Sequence, residues 1–469
     1  MLDKPSAAPV GQSASNLWAW LQTWQDGQGG IHGPVVYHHR DNLKVLRPDT
    51  WTQGAALIGV LNLYRASGDS KYISAGQKLG KFLADNYIED LHFFRDSNFD
   101  QKPLGQPALE GNSIASLSLL ELAKVLGSEG RFLVEAARDN LTEFVTKQWD
   151  RQTKSFSVEY HGRRASIHNK SSMAIMAIMS LAETEGNSEL VDSYARPAAE
   201  HIVSTQVKAG PFAGAFPYSD RDASYRTMYS LLTALGLLRF GEATGETKYA
   251  DRSQMLVRHL TKFVDPKTGL ISHYHNVGYP QWINDTLLYH VVSRKVARLK
   301  GEEIDLSLDE GLAKVLSYQY PSGAFLLSLG FDDLYYKDYF RSTPGLRRWR
   351  DILPTTGMNA WNLWFLSELL KPDQGVPPPS ITLPFSVISD KEEVEGPYEI
   401  VEGTDELRML KLPDKTPSLI IRKTDDVPVF CGITERANYW KTIDALMRYP
   451  FLLRRVILFI PRIWLKIRR

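Results

Sequence analysis

Five glycines, Gly68, Gly127, Gly186, Gly245 and Gly301, divide most of this 469-residue chain at steps of 59, 59, 59 and 56 residues. A fixed period of that length marks a supersecondary unit stacked on copies of itself. The text around the glycines repeats too: "SGDSKY" at 67–72 returns in kind as "TGETKY" at 244–249. Ahead of the glycines run apolar segments with helical spacing, such as "NSIASLSLLELAKVL", "SSMAIMAIMSLAETE" and "MYSLLTALGLLRFGEAT". Behind them run more polar, amphipathic ones, such as "KYISAGQKLGKFLADNY" and "KYADRSQMLVRHLTKFV". A glycine that closes one helix in a left-handed conformation, followed by Asp, Ser, Glu or Thr to cap the next, accounts for the phrase as a joint without a ligand role.

Six such helix pairs fit the chain. The apolar, inner members are predicted at 51–67, 112–126, 171–185, 228–244, 285–299 and 358–370, and the polar, outer members at 14–26, 71–88, 130–148, 187–206, 247–264 and 306–318. A helix that is apolar nearly all round, like 173–182, must be buried on every side, whereas its partner needs only one buried face. A closed ring of inner helices within a ring of outer ones satisfies both, so the expected fold is mostly α, an (α/α)6 toroid over residues 1–371. Connections from inner to outer helix are short, and those from outer to inner are long (27–50, 89–111, 149–170, 207–227, 265–284 and 319–357). The long loops therefore share one end, at the N-termini of the inner helices, where function is expected. Some open like short β-hairpins, as in "WDRQTKSFSVEYHG" and "VDPKTGLISHYHNVG". Residues 372–447, a proline-rich linker, an acidic run and a strand or two in "SLIIRKTDDVPVFCGI", form an extension of uncertain fold.

The 43% apolar content supplies a sizeable core, and the single cysteine, Cys431, excludes an internal disulfide and a cysteine-built zinc site. No secretory signal is expected from "MLDKPSAAPVGQSASN", nor any spanning helix, which needs roughly 18 apolar residues in a row. Net charge is +1, but residues 448–469 carry seven Arg and Lys without an acid, which leaves −6 for the rest. An acidic body with scattered basic residues excludes nucleic acid as partner, and neither a phosphate-binding loop nor a serine triad signature is present. In the tail, Arg448, Arg455, Arg462 and Arg469 recur every seven residues beside Phe451, Leu452, Leu458, Phe459, Ile463 and Trp464. Such a segment suits an anionic membrane surface or a partner protein, each basic side chain adding about 1 kcal/mol on anionic lipid; the alternative is a helix docked on the toroid. The expected location is cytoplasmic, peripheral on the inner membrane face where the tail attaches.

Six helix hairpins with one elaborated end resemble the (α/α)6 toroids of the six-hairpin glycosidase type. That resemblance implies a carbohydrate-active enzyme with its site in the funnel at the long-loop end and an oligo- or polysaccharide substrate. The segments "WTQGAALIGVLNLYRASGDSKY" at 51–72 and "LEGNSIASLSLLELAKVLG" at 109–127 also resemble glucuronyl C5-epimerases, with the Asn-Gly of that pattern inverted to Gly111-Asn112.

Glycoside hydrolysis commonly uses two carboxyl groups. The funnel-end carboxylates are Asp49, Glu110, Asp220, Asp222 and Asp285, all near the starts of predicted helices, where capping is the alternative role. Asp285 and Glu110 are the first choices, Asp285 because Trp282 precedes it and Glu110 because it opens a buried helix. A uronate lyase or epimerase needs instead a cation to neutralise the carboxylate and a Tyr or His to take the adjacent proton. "SIHNKSS" and "YSDRDASYRTMY" offer His168, Asn169, Tyr218, Tyr225 and Arg226, a set resembling that of chondroitin-type toroidal lyases. Trp51, Trp282, Tyr279, Trp349 and Trp361 are candidates to stack on sugars, with core packing the alternative for Trp361. His273, in "HYHN", is a further candidate to contact the sugar; that motif and "YHHR" at 37–40 lack an assured third ligand, so no metal and no cofactor is expected. A third reading is a catalytically silent toroid that binds glycan or serves polysaccharide assembly.

Overall fold

The computed structural model of the protein describes residues 8–31, 50–95, 108–160, 162–275, 281–303, 306–320, 323–325 and 356–381, together with the backbone of four strands between 399 and 432. Six inner helices, α2 (Thr50–Ser67), α4 (Leu109–Leu126), α6 (His168–Glu185), α8 (Thr227–Thr244), α10 (Ile283–Lys300) and α12 (Thr356–Glu368), pack each against the next, and α12 closes on α2. The outer helices α1 (Ala8–Gln22), α3 (Ser70–Asp85), α5 (Arg131–Asp139), α7 (Arg196–Thr205), α9 (Lys248–Leu260) and α11 (Leu306–Leu316) surround them, most seated between two inner neighbours. This is the expected (α/α)6 toroid. Burial follows from the sequence: in α6 every residue from Ser171 to Leu181 is buried, whereas α3 buries only the face of Tyr72, Ala75, Leu79 and Leu83 with its neighbours.

All five joint glycines have positive φ, between 61° and 72°. The residues after them cap less uniformly than expected. Asp69 accepts from the Lys71 backbone N–H and Asn187 from that of Glu189, but Glu246 is drawn into ion pairs with Arg196 and Lys248. Elsewhere on the ring, Gly236 marks a close helix crossing: a Cβ there would lie 2.0 Å from Ser172 Oγ, whose hydroxyl donates to the Leu232 and Thr233 carbonyls.

Three expectations shift. The first helix begins at Ala8 rather than near 14. The helix expected over 130–148 is α-helical only to Asp139, then widens into a π segment (Asn140–Val145) and ends in a 3-10 turn. The widened turn coincides with Asn140, whose buried amide donates to the His92 carbonyl and to Asn112 Oδ1 while accepting from Ser116. In the extension, the two strands in "SLIIRKTDDVPVFCGI", β9 (Ser418–Arg422) and β10 (Pro428–Gly432), are joined by two that were not expected, β7 (Glu399–Gly403) in the acidic run and β8 (Leu407–Lys411), in one antiparallel meander.

The end of the ring formed by the inner-helix C-termini is sealed by charge. Glu121 of α4 pairs with Arg65 of α2 (2.8 Å), Arg239 of α8 (2.7 Å) and its own Lys124 (3.1 Å), and accepts from Ser180 of α6 (3.0 Å). Lys295 of α10 pairs with Glu368 of α12 at 2.9 Å, and Asn62 of α2 hydrogen-bonds the same carboxylate. Burial pushes the Glu121 carboxyl up, but Arg239, Lys124 and Arg65 outweigh it and hold the group well below the usual carboxylate range.

At the opposite end the long loops strap one another. Short hairpins β1 (Tyr87–Ile88) with β2 (Phe93–Phe94), β3 (Trp149–Asp150) with β4 (Ser155–Phe156), and β5 (Val158–Tyr160) with β6 (Arg163–Ala165) rise there, and single bridges join Ile167 to Ser219, Arg226 to Tyr274 and Ser272 to Gln281. Among the described residues no helix is long and apolar enough to cross a membrane and no metal-binding cluster occurs. Asp49, Tyr279, Trp349, the "YHHR" histidines and the basic tail 448–469 lie outside the described residues.

Candidate functional site

Each inner helix starts at the strapped end, so its first turn delivers side chains to the mouth of the ring. Glu110, second residue of α4, meets Lys170, third residue of α6, at 2.7 Å, and their side chains keep 26% and 21% of their exposure. Glu110 uses only Oε1 in that pair; Oε2 is shielded from solvent and has no hydrogen-bond partner. The adjacent Gly111 is set by packing, since a Cβ there would sit 2.7 Å from Thr50 Oγ1. Asn112 is buried, its Oδ1 accepting from the Phe94 backbone, so the inverted Gly-Asn pair is structural.

His168 opens α6 but faces inward from solvent. It is 1% exposed, and its Nδ1 lies 2.8 Å from the Pro217 carbonyl, which can only accept, so the proton sits on Nδ1. Burial pulls its pKa down to about 4 against that hydrogen bond, which leaves a neutral imidazole. Asn169 beside it is buried.

Ahead of α8 the loop folds on itself. Asp222 accepts from the Ser224 backbone (2.8 Å), from Tyr160 (2.9 Å) and from Arg226 (3.2 Å). Burial raises its carboxyl, and those partners outweigh burial and lower it. The Arg226 guanidinium lies 4.2 Å from the Tyr218 ring centre and 5.8 Å from that of Tyr229. Burial, with Tyr229 nearby, lifts the Tyr218 phenol far above its ordinary range; Arg226 opposes the rise and the charge of Glu110 adds to it. Tyr225 points elsewhere: it stacks on Phe212 at 4.4 Å and beside His275, in a group that includes His259 of outer helix α9.

At α10, Asp285 is fully buried and its Oδ2 holds His273 Nδ1 at 2.8 Å. The His273 ring stacks on Trp282 at 3.7 Å and meets Tyr229 edge-on at 5.9 Å. Both His273 and Trp282 are buried. Trp51, at the start of α2, is half-buried against the core residue Trp361 at 5.2 Å.

Tyr218, Arg226 and, through Tyr229, the His273–Asp285 pair thus form one contiguous group bordered by Asp222, and the Glu110–Lys170 pair stands at the same end in the first turns of α4 and α6. Tyr160 and Tyr229 belong to that group and Lys170 to the pair beside it, although the sequence alone does not single them out. Lys170 stands inside the quoted "SIHNKSS", and three polar residues in the first turn of a helix otherwise buried all round were the available signal. In the ring order α4 and α10 stand opposite each other, so Glu110 and Asp285 approach from opposite walls.

No family model matches the chain, and no curated protein matches it in sequence. Solved structures match it in fold. One from Salmonella enterica serovar Paratyphi A, described as a possible member of the GH105 family, superposes with a TM-score of 0.57 at 12% identity over 79% of this chain and 96% of its own. An unsaturated glucuronyl hydrolase specific for heparin gives 0.54 at 13%, over 77% and 96%. Cellobiose 2-epimerase from Bacillus thermoamylovorans gives 0.57 at 12%, over 77% and 99%. At these identities the likeness is one of fold alone, the (α/α)6 toroid.

Proposed function

We propose that the protein is a carbohydrate-active enzyme that works in the mouth of the toroid and hydrolyses a glycosidic bond, with Glu110 as acid–base group and Tyr218, Tyr229, Arg226 and Trp51 holding the sugar. The observation that carries this is the state of Glu110. Of the nominated carboxylates among the described residues, Asp285 is sealed from solvent, Asp222 is held by three partners, and Asp220 is an exposed loop residue that accepts from the Ser166 backbone N–H. Glu110 keeps 26% of its side-chain exposure at the mouth, with Oε1 on Lys170 and the shielded Oε2 without a hydrogen bond.

One carboxyl suffices for a balanced cycle. It donates its proton to the leaving glycosidic oxygen as the C–O bond breaks, and as a carboxylate it takes a proton from the water that adds to the sugar carbon. Tyrosine faces suit the apolar face of a pyranose, and Asp285 acts at one remove by orienting His273. The fold shared with a glucuronyl hydrolase supports a sugar substrate.

A second reading, elimination or epimerisation beside a uronate carboxylate, is favoured by the Arg226–Tyr218–Tyr229 group, which supplies a cation next to phenols. The raised Tyr218 phenol counts against it as the base. The two separate in one experiment: incubation with neutral and uronate polysaccharides, following reducing ends and the ultraviolet absorbance of unsaturated uronates together. Reducing ends alone, lost in Glu110→Gln, support hydrolysis; both signals rising move the chemistry to elimination.

A further inference from the structure

We propose that the Lys170–Glu110 pair is an exchangeable contact that selects acidic sugars: the carboxylate of a uronate takes the place of Glu110 on Lys170 and releases Glu110 toward the sugar. The inference rests on the proposed sugar site and adds the class of substrate and the residue that chooses it.

The contrast with the sealed end of the ring carries the argument. There, Glu121 has both oxygens engaged, by Arg65 on one and by Lys124, Arg239 and Ser180 on the other. At the mouth, Glu110 has one cation on one oxygen, and its Oε2 is withdrawn from solvent without a partner. An ionised oxygen without a hydrogen bond is an expensive arrangement, so this pair is held less firmly than its short distance suggests.

The surroundings favour a visiting anion. All six inner helices begin at this end, so the positive ends of their dipoles converge on it. Arg226 adds a second cation ahead of α8, braced on Tyr218 and paired with Asp222. Both members of the Lys170–Glu110 pair retain enough exposure to be reached, unlike Asp285 and His273. A neutral sugar has nothing to offer Lys170 in exchange for Glu110, whereas a carboxylate replaces the lost charge. One charge-assisted contact of this kind is worth about 10- to 100-fold in affinity.

The test is equilibrium binding, by calorimetry, of the methyl glycosides of glucuronate and galacturonate against those of glucose and galactose. Wild type is expected to bind a uronoside about 10- to 100-fold more tightly than its neutral counterpart. Lys170→Met should erase that ratio, Lys170→Arg should keep it, and Glu110→Gln should tighten the uronoside by vacating Lys170 while leaving the neutral glycoside nearly unchanged. Melting curves of each variant separate these effects from misfolding. Equal binding of both glycosides by wild type, or a ratio that survives in Lys170→Met, overturns the exchange and leaves the sugar site standing. Wild type that binds no glycoside at all removes the sugar site and this proposal with it.

Discussion

The substitution Glu121→Gln tests whether the ring is held shut by charge. Glu121 is 8% exposed and faces Arg65, Lys124 and Arg239 at 2.8, 3.1 and 2.7 Å. Removing its charge leaves three cations about a neutral amide, with only Glu183, 2.6 Å from Lys124 and 3.5 Å from Arg239, to oppose them. Breaking a buried pair typically costs about 3–5 kcal/mol. The cationic side chains here keep 37%, 27% and 27% of their exposure, so water screens part of the loss and about 2–4 kcal/mol is expected. With an unfolding entropy of roughly 2 cal/mol/K per residue, a ring of this size converts that to a fall in Tm of about 3–5 °C. Differential scanning calorimetry at pH 7 measures it, and the double variant Glu121→Gln with Arg239→Gln should recover about 1 kcal/mol because one stranded cation is gone. The folded-state pKa of Glu121 is depressed, so its contribution is full above the ordinary carboxylate pKa of about 4 and fades as pH falls below it. The variant should lack that fade. A single variant within about 0.5 kcal/mol of wild type, or strict additivity in the double, refutes the network as a fastening.

Acid should weaken the fold well before the carboxylates protonate. Burial lowers His168 and His259 to about 4 and His275 and His290 to about 3, so these groups stabilise above the ordinary histidine pKa of about 6.5 and lose that contribution as pH falls from there. Counting the hydrogen-bonded His259–His275 pair once, going from pH 7 to 5.5 should cost about 4 kcal/mol by urea titration; a flat profile over that range sinks the assignment of buried neutral rings. Gly236→Ala drives a methyl group into Ser172 Oγ at 2.0 Å and its carbonyl at 2.8 Å and should cost about 1–3 kcal/mol, so an unchanged urea midpoint contradicts the close α6–α8 crossing. On the substrate identified by the polysaccharide assay, Glu110→Gln should lower kcat by at least about 100-fold, and Asp285→Asn, which only loosens His273, by less. The reverse order moves the acid–base role to α10.

The period that revealed the ring also contained its fastening. Asn62, Glu121, Ser180, Arg239 and Lys295 each stand six residues before a joint glycine, on five of the six inner helices, and all five meet at the sealed end. Nothing about any one of them announces this, because a polar residue near the end of an apolar helix ordinarily faces water. Only the shared register shows that five unlike side chains occupy one layer. The inner helices were legible for the same reason, since all-round burial demands an all-round apolar sequence and leaves little freedom. The mouth obeys a weaker constraint. Its residues come from loops of unequal length, so no period relates them, and the types suited to catalysis are those suited to holding a loop: Asp222 and Asp285 read alike as acids, yet one is bound by its own turn and the other is buried under a histidine. What the sequence does fix there is the first turn of each inner helix. Glu110 and Lys170 fall in two such turns and meet there. The opening turn alone does not select them, since His168 and Asp285 hold the same position and are buried against loop groups; what sets Lys170 and Glu110 apart is that each finds its partner in the neighbouring first turn.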